Sequence, residues 1–143
     1  MFRRLISTSA TWIPLPLRLA MATIFVAHGM QKVLGTFNGP GFEKWISISP
    51  PFSFMKPGWL WLGAAAFSEL IGGIMIFLGL LTRVGAFFIA CTMLTALLSQ
   101  WPAFFNPKGF EFTLALFAIC LALLVSGGGI ASVDLAMSGG RRR

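Results

Sequence analysis

Between its prolines the sequence passes through four apolar stretches, at about 15–35, 58–81, 84–101 and 110–130, each holding very few charges. Roughly 20 apolar residues coiled as a helix cover the hydrocarbon of a bilayer, with some tilt. Pro14, Pro16, Pro40, Pro50, Pro51, Pro57, Pro102 and Pro107 all fall outside these stretches or at their edges, where a helix tolerates them. A membrane barrel is excluded, because its strands alternate apolar and polar side chains and these runs do not. A soluble domain is excluded as well: 57% of the residues are hydrophobic and only 10% charged, against about 25% charged in an ordinary globular chain. The expected fold is therefore an all-α membrane protein, a single domain over 1–143 built as an antiparallel bundle of four transmembrane helices.

The net charge of +7 does not point to nucleic acid, since the basic residues flank the spans, where they set orientation. Seven arginines, Arg3, Arg4, Arg18, Arg83 and Arg141 to Arg143, fall on one side of a four-span arrangement, and the four lysines, Lys32, Lys44, Lys56 and Lys108, on the other. The arginine-rich side is expected to be cytoplasmic, so both termini are placed inside and the terminal arginines against anionic lipid. Trp12 marks the inner interface and Trp59, Trp61 and Trp101 the outer one, in agreement with the charge count. The segment after Arg3 and Arg4 is too long for a signal-peptide core and no small-residue cleavage pattern follows it, so it reads as the first span. The long connection at 36–57 contains Phe42, Trp45, Ile46 and Ile48 beside Glu43 and Lys44. A short interfacial helix is expected there, either as a lid or binding loop or as a simple surface anchor.

Ionisable groups inside a span cost roughly 2.5 to 3.5 kcal/mol each on insertion scales and tend to face the bundle interior. The first span carries Arg18, His28 and Lys32, at about 0°, 280° and 320° around the helix, hence on one stripe. His28 falls about 10 Å below the outer end and Glu69 of the second span about 15 Å, within a helical turn of each other. Ala65, Ala66, Gly72 and Gly73 share the face of Glu69 and allow a neighbouring backbone to come close. A pairing of Glu69 with His28 or Lys32 could relay protons, hold a polar headgroup, or act as an interhelical clamp.

Thr92, Thr95, Ser99 and Gln100 add polar groups to the same outer half, and Glu111 opens the fourth span, where a carboxylate also suits the helix dipole. His28, Lys32, Glu69 and Glu111 are thus expected to converge on one polar pocket in the outer half. At the inner end Arg18 and Asp134 are expected to form a structural ion pair. Cys91 and Cys120 lie at similar depth but lack any metal or redox spacing, so neither a metal site nor a disulfide is indicated.

Several segments are shared in order and spacing with a known family: His28-Gly29-Met30-Gln31-Lys32, Glu69-Leu70-Ile71-Gly72-Gly73, Leu78-Gly79-Leu80-Leu81-Thr82-Arg83 and Gly129-Ile130-Ala131-Ser132-Val133-Asp134, with Gly39-Pro40-Gly41-Phe42 and Trp45 in the outer loop. Over about residues 14–135 the chain resembles the DoxX family. That resemblance implies a small four-helix, multi-pass protein of the bacterial inner membrane, similar to the membrane subunit of a thiosulfate:quinone oxidoreductase. Lys32, Glu69, Arg83 and Asp134 are the family-pattern positions, and His28 is compatible with them.

The functional expectation that follows is an integral subunit of a quinone-linked redox complex, with a quinone headgroup in the polar pocket. Its expected partners are membrane lipid and a soluble or membrane redox protein, with a second copy of the chain as a further candidate. The competing expectations are a membrane anchor or assembly factor without its own reaction, and a small solute or proton carrier. Orientation is checked by single cysteines placed near the C-terminus and beside Lys44 in a chain lacking Cys91 and Cys120. An impermeant maleimide added to intact cells should label the Lys44 site and spare the C-terminal one; the opposite pattern inverts the topology.

Overall fold

The computed structural model describes residues 5–105 and 109–139. Arg3, Arg4, Lys108 and Arg141 to Arg143, which enter the orientation count, lie outside the described residues. Six helices are described and no strand: α1 (Pro14–Leu34), α2 (Gly41–Ile46), α3 (Gly58–Leu78), α4 (Thr82–Gln100), α5 (Glu111–Ser126) and α6 (Val133–Met137).

The helix ends have local causes. Pro14 and Pro16 open α1, where the missing N–H has no helical partner in any case. α3 ends in a paired cap: Gly79, at φ 64°, donates to Ile76 O, and Leu80 donates to Met75 O. α6 starts at Ser132, whose hydroxyl accepts from the N–H of Leu135. The fourth apolar run is longer than its helix. α5 stops at Ser126, four residues short of the expected 130, because Gly127, Gly128 and Gly129 follow it and Gly127 turns out at φ 74°.

Antiparallel packing is read from which residues meet. Arg18 reaches the carbonyls of Ile76 and Phe77 while Lys32 meets Glu69, so α1 and α3 run in opposite directions. α4 returns along α3, with the backbones closest at Gly72 and Gly85, and α5 returns along α4, with Thr113 on Gln100 and Arg83 on Val125 O. The core between these helices consists of Met21, Phe25, Ile76, Ala86, Ile89, Leu116, Cys120 and Leu123. Their outer faces are apolar too, with Phe67, Ile71, Ile74, Phe77, Phe87, Phe88, Leu94, Leu98, Leu114 and Leu121 exposed. So large an uncovered apolar surface does not suit water.

α3 and α4 are long and apolar enough to cross a membrane, and only 39% and 33% of their apolar windows are buried, unlike the core helix of a soluble domain. α1 has the length, at 21 residues, but carries Arg18, His28 and Lys32, and α5 is apolar but shorter, at 16 residues. One end of the bundle gathers the start of the described chain, the α3–α4 turn and the 127–132 loop: Gly129 N donates to Thr8 Oγ1, Ile130 N to Thr11 O and Asp134 N to Gly79 O.

The close approaches explain the glycines that sequence position alone makes look interchangeable. A Cβ on Gly29 would lie 2.6 Å from the Leu70 backbone, whereas one on Gly63 would meet nothing nearer than the Phe42 ring at 3.6 Å. Both positions are interior to helices, so alanine raises helix propensity by about 1 kcal/mol at each. Gly29→Ala should nevertheless lower the melting temperature in detergent, because α1 and α3 must part, at an overpacking cost of about 1–3 kcal/mol. Gly63→Ala should leave it unchanged or raise it. Equal effects of the two substitutions would contradict the backbone contact.

Candidate functional site

The two ends of the bundle treat charge differently. At the closed end Arg18 is 1% exposed, and the expected ion pair with Asp134 is absent. Arg18 spends its guanidinium on backbone carbonyls: Nε donates to Ile76 O (2.8 Å), Nη2 to Phe77 O (2.7 Å), and Nη1 to Gly128 O (2.9 Å) and Ala131 O (3.2 Å). The first two lie in the last turn of α3, where carbonyls lack full helical pairing; Ile76 O also accepts from Gly79 N. Asp134 does the complementary task, accepting from Leu81 N (2.7 Å) and Thr82 N (2.9 Å) at the start of α4. Each charge satisfies a helix end, one of either sign, so neither needs the other.

At the opposite end the site is built from α1, α3 and the connecting helix α2. Lys32, in the last turn of α1, lies on the same stripe of the helix as Arg18, and Glu69 faces it from the middle of α3. Lys32 Nζ bonds both carboxylate oxygens of Glu69 at 2.5 Å. Glu69 is 2% exposed, and Lys32 is its sole hydrogen-bonding side chain among the described residues. Above the ammonium lies the ring of Trp45, 4.6 Å from Nζ to its centroid, a cation–π contact. Trp45 is itself fixed by its indole N–H, which donates to Leu62 O at 2.8 Å. The 36–57 connection thus does form a helix, α2, and that helix carries an aromatic cover onto the charged pair.

The pair borders a cavity of about 540 Å³, within the 300–1,000 Å³ typical of small-molecule sites. His28, Lys32 and Glu69 line it together; His28 is exposed at its rim. Phe25, Met93 and Leu116 wall it toward the core, and Trp61, Ala64, Phe88 and Cys91 line its outer side. Thr92, Thr95, Ser99 and Gln100 also line it, but the Thr92 and Thr95 hydroxyls donate back to Phe88 O and Cys91 O in their own helix. Thr113 donates to Gln100 Oε1 at 2.9 Å, which leaves the amide nitrogen of Gln100 as a donor toward the cavity side.

Glu111 does not join this group. It stands at the first residue of α5 and turns back to accept the N–H of Phe105, while its neighbours Phe112 and Thr113 line the cavity without it. A first-turn carboxylate finds a free backbone donor close by, and that local bond outcompetes a longer reach into the bundle. Among the described residues no three of His, Cys, Asp and Glu come together. Cys91 and Cys120 are both free, the first exposed and the second buried. Trp45 as the cover of Lys32 and Thr113 as the partner of Gln100 are the contributors that sequence spacing missed. The signals for Trp45 were its place in a connection that reads as a lid or binding loop and among the segments shared with the DoxX family.

The family model described as DoxX matches residues 13–106, which include Lys32, Trp45 and Glu69. The chain is also 34% identical over 109 residues, 75% of its own length and 75% of the relative's, to the Bacillus subtilis (strain 168) protein named "Putative oxidoreductase CatD". No solved structure matches it.

Because Glu69 has a single partner in an apolar setting, the pair should behave as a unit. Lys32→Met strands a buried carboxylate and should destabilise the folded protein by roughly 3 kcal/mol, whereas Lys32→Met with Glu69→Leu should recover most of that loss. Thermal unfolding of the two variants in one detergent measures it. Additive losses would mean that the two side chains are independent.

Proposed function

The chain belongs to the DoxX family, and from that premise we propose that it is the membrane subunit of a quinone-linked redox complex. In this reading it is a multi-pass protein of the bacterial inner membrane, with four spans, both termini in the cytoplasm and the Lys32–Glu69 pair holding a quinone headgroup. The observation that carries it is the position of the pair: a half-buried ammonium and a buried carboxylate bordering a cavity of about 540 Å³ whose other walls are largely apolar and aromatic. The apolar outer faces of the helices support a location in lipid. α5, at about 24 Å by helical rise, spans with local thinning of the bilayer or with help from the residues that follow it. The relative's name supports a redox role.

The residues present fit a quinone headgroup. Its carbonyl oxygens need donors, which Lys32 Nζ and the Gln100 amide supply, and its ring needs apolar and aromatic walls, which Trp61, Phe88 and Phe112 supply. A bound quinone supplies a couple that takes up two electrons and two protons, the electrons coming from a partner redox protein. Lys32 orients a carbonyl oxygen by hydrogen bonding. Glu69 keeps the ammonium in place and is the carboxylate through which a proton can pass between Lys32 and the cavity. His28, exposed at the rim, offers a ring nitrogen for hydrogen bonding there. Trp45 covers the pair and excludes water, which strengthens each of these contacts.

Trp45 and Trp61 line the cavity, so their fluorescence reports its occupancy. Titration of the purified protein with a quinone should quench it saturably, and Glu69→Gln, which keeps the shape but releases the ammonium, should weaken binding about tenfold or more, as the loss of a charged hydrogen bond does. Equal saturable quenching in a well-folded Glu69→Gln protein, or no saturable quenching in the unaltered one, overturns the assignment.

A further inference from the structure

We propose that the cavity is entered sideways from the lipid, through a window between α3 and α4, and that its ligand is therefore a membrane-resident amphiphile whose apolar tail lies in that window. This deepens the quinone reading and rests on it for the headgroup.

Four observations define the window. First, α3 and α4 touch most closely at Gly72 and Gly85, where a Cβ on either would fall 3.0 to 3.2 Å from the other's carbonyl oxygen or a neighbouring side chain. Beyond that crossing, residues of both helices line the cavity: Ala64, Ala65 and Ser68 from α3, and Phe88, Cys91 and Thr92 from α4. Second, the cavity is closed on the inner side, where Phe25, Met93 and Leu116 are buried, and uncovered on the α3–α4 side, where Ala64, Phe88 and Cys91 are exposed.

Third, the window lies at mid-span. Ser68 is the midpoint of Gly58–Leu78 and Cys91 the midpoint of Thr82–Gln100, so a bilayer that covers these helices places hydrocarbon at the opening. The aqueous approach from the outer side is obstructed by Trp45 and Met55, which line the cavity from the connection above it. Fourth, the lining has a polar and an apolar end. Lys32, Glu69 and His28 stand together on α1 and α3, while the side chains at the window are small or apolar, with the threonine hydroxyls there turned back onto their own helix. A ligand matched to that gradient has a polar head and a hydrocarbon tail, and a wholly water-soluble solute would have to cross lipid to reach the opening.

The test uses two independent readouts. Ala64→Phe and Thr92→Phe narrow the window without touching Lys32 or Glu69, and neither residue donates a hydrogen bond to the headgroup end. In both variants a long-chain isoprenoid quinone should lose at least tenfold more affinity than a tail-less quinone loses. Equal effects on the two quinones would overturn the window. The second readout needs no quinone. Cys91 is exposed and Cys120 fully buried, so a thiol-reactive fluorophore marks Cys91 in the native sequence. In nanodiscs its emission should be quenched by lipids carrying a mid-chain nitroxide and not by iodide; quenching by iodide alone places the opening in water and overturns the proposal. Failure of both quinones to bind the unaltered protein sinks the quinone assignment, while the Cys91 readout still decides whether the cavity opens to lipid.

Discussion

A guanidinium sealed inside an apolar bundle must be surrounded by acceptors, and the closed end of this protein is organised by that need. Arg18 accounts for it with backbone carbonyls from the end of α3 and from the glycine-rich loop after α5. The loop can supply them because Gly127, Gly128 and Gly129 end the helix early and let the chain pass close: a Cβ on Gly128 would lie 2.7 Å from the Ser132 side chain. Gly79 is tied to the same cluster, since a Cβ there would be 2.5 Å from Arg18 Nη2. Asp134 then caps α4 from the other side of the turn. Two helix ends and one loop are held by two charges that make no direct contact with each other.

From that clamp the helices are free to separate toward the opposite end. Gly72 and Gly73 are adjacent in sequence yet serve different neighbours, Gly72 meeting Gly85 and Ile89 of α4 and Gly73 meeting Val26 of α1. Toward the open end α1 and α3 stay in contact at Gly29 and Leu70, while side chains replace hydrogen atoms between α3 and α4 and the space between α1, α3, α4 and α5 widens into the cavity. The connecting helix α2 closes it from above, with Phe42 packed on Phe67 at 5.4 Å between centroids and Trp45 bonded to Leu62 O. The tight end and the open end are one design: small residues at the crossing fix a vertex, and bulk beyond it sets the spread.

Apolar length and proline position made the helices legible, because those signals come from solvent and backbone chemistry that act wherever the chain lies. The Lys32–Glu69 contact was legible for a similar reason: only four acidic residues occur in the whole chain, and a buried charge narrows its own choice of partners. The Arg18 contacts were not, since a carbonyl acceptor has no side-chain identity and any residue at a helix end can provide one. Opposite charge suggested Asp134, but the helix termini were closer partners for both. Glu111 was misplaced because depth along a span says nothing about direction, and a free N–H six residues earlier in the chain captured the carboxylate. Trp45 could not be placed above Lys32 without knowing how the 36–57 connection folds back.

Buried Arg18 and half-buried Lys32 differ in how far their surroundings saturate them. Arg18 directs all three guanidinium nitrogens at fixed carbonyls in several segments, so the group cannot turn to a ligand without unmaking helix ends. Lys32 has a single anionic partner and an aromatic face, and a carboxylate can accept about four hydrogen bonds where Glu69 receives them from one ammonium. The remaining acceptor capacity of Glu69 lies at the edge of a cavity, where a hydrogen-bonding ligand gains the full value of a contact made away from water. A pair so under-subscribed is a costly way to brace two helices that Gly29 and Gly73 already bring into backbone contact. Its placement is better accounted for by what enters the cavity than by what holds the bundle together.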